Sequence, residues 1–243
     1  HDTVRRQRQM CIRDRWDVQE TGDWIARSCG QGLMPPGAAA ELDGDRLERR
    51  WQNLQKTVLS LGPLRLQQQP TSQRSALVMA GDTAVQISTS RLRSRALLQS
   101  WLKHLLAQLD DAACNTAVVC RQDGSAKADQ FHIAMRWRAM TPQEADLEIR
   151  VLQSLAQQGA ELCWPVPPDS GLARALAWSK GEEAADRAFI NRWQGSFSGW
   201  AERDQSEQQV CFGSHCDADL LLRLEGFEAA FQALYQPLLE ARC

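Results

Sequence analysis

No apolar run in the sequence approaches the roughly 18–20 residues that a membrane-spanning helix needs. The first residues are charged and polar and hold no apolar segment of the secretory kind, so no signal peptide is expected. The glycines form neither G-x-x-x-x-G-K-[ST] nor G-x-G-x-x-G, which removes the two commonest phosphate cradles. No G-x-S-x-G elbow is present, and the four histidines, His1, His104, His132 and His215, leave little choice for a Ser-His-Asp triad.

Eight cysteines occur, at positions 11, 29, 114, 120, 163, 211, 216 and 243, and none lies in a C-x-x-C pair. Disulfide frameworks belong to small secreted domains, so reduced thiols and a cytoplasmic location are expected. Cys211, His215 and Cys216 are close in sequence, but a structural zinc site needs four ligands. They read as ordinary loop residues, and no metal or cofactor is expected.

Charge is uneven. Five arginines against two aspartates give residues 1–15 a net +3, which leaves −5 for the remainder of a chain whose total is −2. An acidic body does not look like a free-standing DNA-binding protein, which needs a basic footprint. Residues 1–15, HDTVRRQRQMCIRDR, have no periodicity and no helix cap. The string RQMCIRDR resembles translated sequencing adaptor, and 1–15 is read as a non-native tail ahead of one domain spanning 16–243. A basic nucleic-acid arm is the alternative.

The strongest feature present is Leu97–Leu109, LLQSWLKHLLAQL. At 100° per residue its six leucines and Trp101 fall within half a helical wheel, with Gln108 among them and His104 on the polar half. This helix should touch several neighbours. Upstream, Leu42 to Leu61 keeps helical spacing until Gly62-Pro63 stops it. Leu64–Gln67, Ser75–Ala80 and Val85–Ser88 read as short strands, as do Thr116–Arg121 and Gln130–Met135, which flank the turn signal Asp123-Gly124. Thr141-Pro142-Gln143-Glu144 is a capping box opening a helix that should stop near Gly159. Glu161–Val166, cut by Pro165, reads as a strand running into a loop. Helices follow over Gly171–Ser179 and Glu182–Gln194, then a loop, then a helix over Phe227–Leu239. Strands interleaved with helices mean α/β with a mixed sheet covered on at least one face, and the Asp-Gly hairpin argues against a purely parallel one.

Metal-dependent nuclease chemistry needs paired carboxylates and a lysine, which in the PD-(D/E)xK class sit on adjacent strands before a helix. The strand ending at Asp82 occupies that place, yet position 84 is alanine and Arg65 and Gln67 supply no acid. Glu41, Asp43 and Asp45 lie near a helix start, where the macrodipole accounts for them. No catalytic residue is assigned. An active nuclease with an unrecognised site stays open as the alternative.

Four stretches carry a family resemblance: GLMPPGAAAE at 32–41, ALLQSWLKHLL at 96–106, FINRWQGSFSGW at 189–200 and FEAAFQALYQPLLEA at 227–241. In this order the chain resembles the C-terminal region of the RecC family, the gamma subunits of exodeoxyribonuclease V (RecBCD). The resemblance implies an α/β restriction-endonuclease-like (PD-(D/E)xK-type) mixed sheet flanked by helices and catalytically inactive. It implies RecB-like and RecD-like subunits as partners, no membrane, and contact with a double-strand DNA end and its separated single strands. The helicase-like portion that reads Chi would be absent here. Residues 63–80, with QQQPTSQ, depart from the family pattern.

Two sets of residues are candidate DNA contacts. Arg136, Trp137 and Arg138 combine cations with an aromatic ring, which suits a single strand. The alternative is a surface arginine pair flanking a core tryptophan. Arg91, Arg93 and Arg95 form a basic strip before the central helix, where acids are the usual choice. The alternative there is a solvated first turn.

Overall fold

The computed structural model describes residues 24–34, 37–67, 77–110, 113–122, 129–195 and 200–243. The tail at 1–15, the residues 75–76 and the Asp123-Gly124 turn lie outside them. The helices, in order, are α1 (Trp24–Gly30), α2 (Ala38–Leu59), α3 (Ser94–Leu109), α4 (Pro142–Glu161), α5 (Pro168–Ala177), α6 (Glu182–Gln194), α7 (Ser206–Phe212), α8 (Ala218–Leu222) and α9 (Phe227–Glu240). The strands are β1 (Leu64–Gln67), β2 (Leu77–Ala80), β3 (Thr83–Ser88), β4 (Asn115–Arg121) and β5 (Phe131–Trp137). None of these helices is long and apolar enough to cross a membrane.

The sheet has the order β1-β2-β3-β4-β5. β3 and β4 are parallel and every other pair is antiparallel, so the sheet is mixed as expected. The α2–β1 connection packs against the β2–β3 turn through two glycine backbones: a Cβ on Gly62 would lie 2.8 Å from the Gly81 nitrogen, and Gly62 has φ +138°. No other residue fits there without strain. The parallel step is made by α3, which carries the chain from β3 to β4.

Neighbouring strand residues point to opposite faces. Val119 faces α2, where Trp51, Leu54 and Val58 pack with Ala80, Val85 and Phe131. Val118 faces α3 and joins a larger core built from Leu97, Trp101, Leu105, Met135 and Trp137 with residues of α4 to α9. Both faces of the sheet are therefore covered. Full burial of each large side chain is worth about 1.5–3 kcal/mol.

The central helix differs from its wheel. Its buried residues are Ser94, Leu97, Trp101, His104, Leu105, Ala107 and Gln108, while Leu102 is 40% exposed. The buried arc is centred on Gln108, not on the leucines. Polar partners explain the shift. Gln108 donates to the Cys114 carbonyl (2.9 Å) and accepts from Met140 N–H (3.1 Å), and His104 Nδ1 meets Thr116 Oγ1 at 2.8 Å. A buried polar group with partners is tolerated in a core, so His104 leaves the polar side that the wheel gave it.

Two other segments differ from expectation. The capping box at Thr141 and Glu144 forms, but α4 runs through Gly159 to Glu161 and leaves no strand over 161–166. Residues 162–165 are irregular, and Pro165 and Pro167 withhold the backbone donors that a strand ladder would use. The acidic, Gln-rich stretch read as loop holds α7 and α8. Both are shorter than the window in which periodicity can be read.

Candidate nucleic-acid interface

Two helix starts meet beside the main core, and acids from elsewhere in the chain close both. Asp169 Oδ1 accepts from the Ser94 backbone N–H (3.2 Å) and hydroxyl (2.7 Å), capping α3. Asp169 Oδ2 accepts from Arg192 at 2.7 Å. Glu202 accepts from the backbone N–H groups of Asp169 (2.8 Å) and Ser170 (2.6 Å) and from the Ser170 hydroxyl, capping α5. Tyr235 donates its hydroxyl to the Pro168 carbonyl at 2.7 Å. Burial pushes the Asp169 carboxyl up, but the Ser94 and Arg192 donors outweigh it and hold the group below its usual range. Glu202 goes the other way: burial dominates and raises it despite its donors. With its helix dipole already capped, α3 needs no acid of its own in the first turn, which accounts for the basic strip that precedes it.

Arg91, Arg93 and Arg95 are exposed along the entry to α3. Arg136 and Arg138 are exposed at the end of β5, where Arg138 donates to Glu144 (3.3 Å) and to the Ala139 carbonyl (3.2 Å). The register places Arg136 opposite Ala117 and Arg121 opposite Phe131, so the two predicted sets lie towards opposite ends of β4. The structure does not gather them into one site. Trp137 is wholly buried. Its indole N–H donates to the Leu238 carbonyl at 3.0 Å, and its ring packs against Trp101 and His104 with centroids 5.1 and 5.6 Å away. That ring offers no face to a base, which is the core-tryptophan alternative.

Other arginines stand beside Arg91. The Arg121 backbone N–H donates to the Ser90 carbonyl (3.1 Å), and Arg46 and Arg50 of α2 reach Asp129, two residues before Phe131. Sequence reasoning missed Arg46, Arg50 and Arg121. The signal was weak: an i, i+4 arginine pair on a helix and a single basic residue ending a strand.

β2 (LVMA) and β3 (TAVQIS), the adjacent strands before α3, hold no acid and no lysine. Gln86 donates to the Ser100 carbonyl of α3 at 2.9 Å, and Ala84 is buried. Among the described residues, no group of three or more His, Cys, Asp or Glu side chains could hold a metal ion. Cys211 instead meets Cys163, whose thiol raises its pKa.

An α/β chain with a five-stranded mixed sheet between helical layers is the class this fold defines. Within it, the family model described as the RecC C-terminal domain matches residues 4–179, and the chain belongs to that family. The match starts inside the stretch read as adaptor and ends before the two C-terminal stretches of resemblance. No curated protein matches the chain.

Proposed function

We propose that this chain is a non-catalytic scaffold and DNA-guiding domain of a RecC subunit in a RecBCD helicase–nuclease, serving double-strand break repair by homologous recombination in the cytoplasm. Membership of the RecC C-terminal domain family implies the subunit role. The observation that carries the non-catalytic reading is the pair of strands leading into α3. A mixed sheet with helices on both faces suits a restriction-endonuclease-like fold, yet β2 and β3 offer no carboxylate pair and no lysine. Water activation by a divalent ion has no ligands there.

The partners are RecB-like and RecD-like subunits and the separated strands at a DNA end. Exposed apolar side chains at Leu147 (62%), Leu162 (73%) and Val210 (85%) are consistent with surface that a neighbouring subunit covers. The arginines at 91, 93, 95, 136 and 138 supply phosphate contacts, and Trp137 acts only by holding β5 against α9.

The test combines cleavage and binding. The chain is incubated with single- and double-stranded DNA across Mg²⁺ and Mn²⁺ concentrations, then titrated with labelled single strand. The expected result is salt-sensitive binding with no strand cleavage at any metal concentration. Metal-dependent cleavage abolished by mutating a carboxylate would replace this reading with the active-nuclease one.

A further inference from the structure

Strand β4 ends at Arg121, beside the end of its parallel neighbour β3, and four arginines converge on that edge. Arg46 and Arg50 stand one turn apart on α2. Arg50 Nε lies 2.6 Å and Arg46 Nε 3.6 Å from the same oxygen, Oδ1 of Asp129. Asn53 fixes the Asp129 carbonyl at 3.0 Å. Arg121 faces the same side of the sheet as Phe131 and α2, and its backbone N–H is tied to Ser90, the residue before Arg91. The charges of Arg46, Arg50 and Arg121 therefore gather around one carboxylate, with Arg91 close by.

Among the described residues, two donors in this group have no acceptor. Arg50 Nη2 and Arg121 Nε are buried atoms without a hydrogen-bond partner. An unmatched buried donor costs about 1–3 kcal/mol. Arginine cannot shed its proton to relieve crowding. Burial, then the charges of Arg50, Arg91 and Arg46, lower the Arg121 pKa, and Asp129 opposes them. What would satisfy both the charge and the empty donors is an anion with several acceptor oxygens in a compact shape. Phosphate fits the planar guanidinium fork. The place fits as well, since ligands of α/β sheets gather outside the carboxyl ends of parallel strands.

We propose that Arg46, Arg50, Arg91 and Arg121 form a phosphate-binding site at the carboxyl ends of β3 and β4, taking either a backbone phosphate of a DNA strand or a free phosphate. The DNA source rests on the function proposed above, whereas the site itself does not.

The experiment uses the 243-residue chain and a double variant, Arg46→Gln with Arg121→Gln, beside a control, Arg136→Gln with Arg138→Gln. Each is titrated with a labelled single-stranded oligonucleotide over a salt series and melted with and without inorganic pyrophosphate. If DNA supplies the phosphate, the cluster variant binds about tenfold more weakly, and its salt slope falls by about 0.7 for each phosphate no longer neutralised. Its melting temperature without anion is unchanged or higher, because repulsion has been removed; a merely structural pair of arginines would lower it. If only pyrophosphate stabilises the wild type, and the cluster variant no longer responds to it, the source is free phosphate. The site then stands although the DNA-guiding reading fails. Unchanged DNA affinity, salt slope and pyrophosphate response in the cluster variant, with weaker DNA binding in the control, would overturn the site and leave that reading intact.

Discussion

Asp169 closes the N-terminus of a helix 75 residues earlier in the chain: its Oδ1 lies 2.7 Å from the Ser94 hydroxyl and 3.2 Å from the Ser94 nitrogen. Replacing Asp169 with alanine leaves Ser94 without its acceptor and Arg192 without its carboxylate. A loss of about 3 kcal/mol in urea denaturation is expected at pH 7. The pKa of Asp169 is depressed in the fold. Its contribution is therefore present above the ordinary aspartate value and is lost as pH falls through the lower folded value. Below that folded value, wild type and variant should converge.

His104 gives a second, separate acid window. Burial first, and Arg138 second, lower its pKa to about 4 from 6.5. Among the described residues its Nε2 is buried without a partner, so protonation would add a donor with nothing to receive it. The folded state prefers the neutral ring, so stability falls as pH drops from 6.5 towards 4, by about 3 kcal/mol. Denaturation curves for His104→Gln at about pH 7 and about pH 4.5 should differ far less than those of the wild type.

Arg174 is 3% exposed, donates to Asp186 and Glu228 at 2.8 Å each, and lies 4.4 Å from the Phe231 ring centroid. Arg174→Ala empties that space and strands two acids, at an expected cost of about 3–5 kcal/mol. Arg174→Met keeps the packing with the rings, and the side chains of Asp186 and Glu228, 33% and 47% exposed, can hydrate. It should cost less than half as much in the same assay.

Gly171 of α5 packs directly against Tyr235 of α9. A Cβ there would lie 2.6 Å from Val166 Cγ1 and 2.8 Å from Tyr235 Cε2. Gly171→Ala improves helix propensity by about 1 kcal/mol, but overpacking costs about 1–3 kcal/mol. A net drop in stability is expected, and Tyr235→Leu in the same background should recover part of it by making room.

Much of the fold was legible in the sequence because it rests on periodicity and caps. The capping box at Thr141, the helix at Glu182–Gln194 and the strands around α3 all carry local signals. What failed to show was tertiary. The polar side of a wheel is a fair guide only until a partner such as Thr116 takes the histidine inside. Trp137 looked like a base-stacking ring because its neighbours in sequence are arginines, while its contacts come from α3 and α9. Arg46, Arg50 and Arg121 are spread over 76 positions, and only the packing of α2 on the sheet brings them together. That β2 and β3 carry no acid and no lysine was readable directly, since it needs no more than the residues of two short strands.

The trans-capping of α3 and α5 has an outcome for recognition. Free helix starts are ready-made receptors for phosphate, offering main-chain hydrogens that ordinary side-chain substitutions leave in place. Here both are stoppered by the chain's own carboxylates. At these two helix starts an approaching polyanion would meet carboxylates, so under the reading proposed above it falls to guanidinium side chains, each removable by mutation, to hold it.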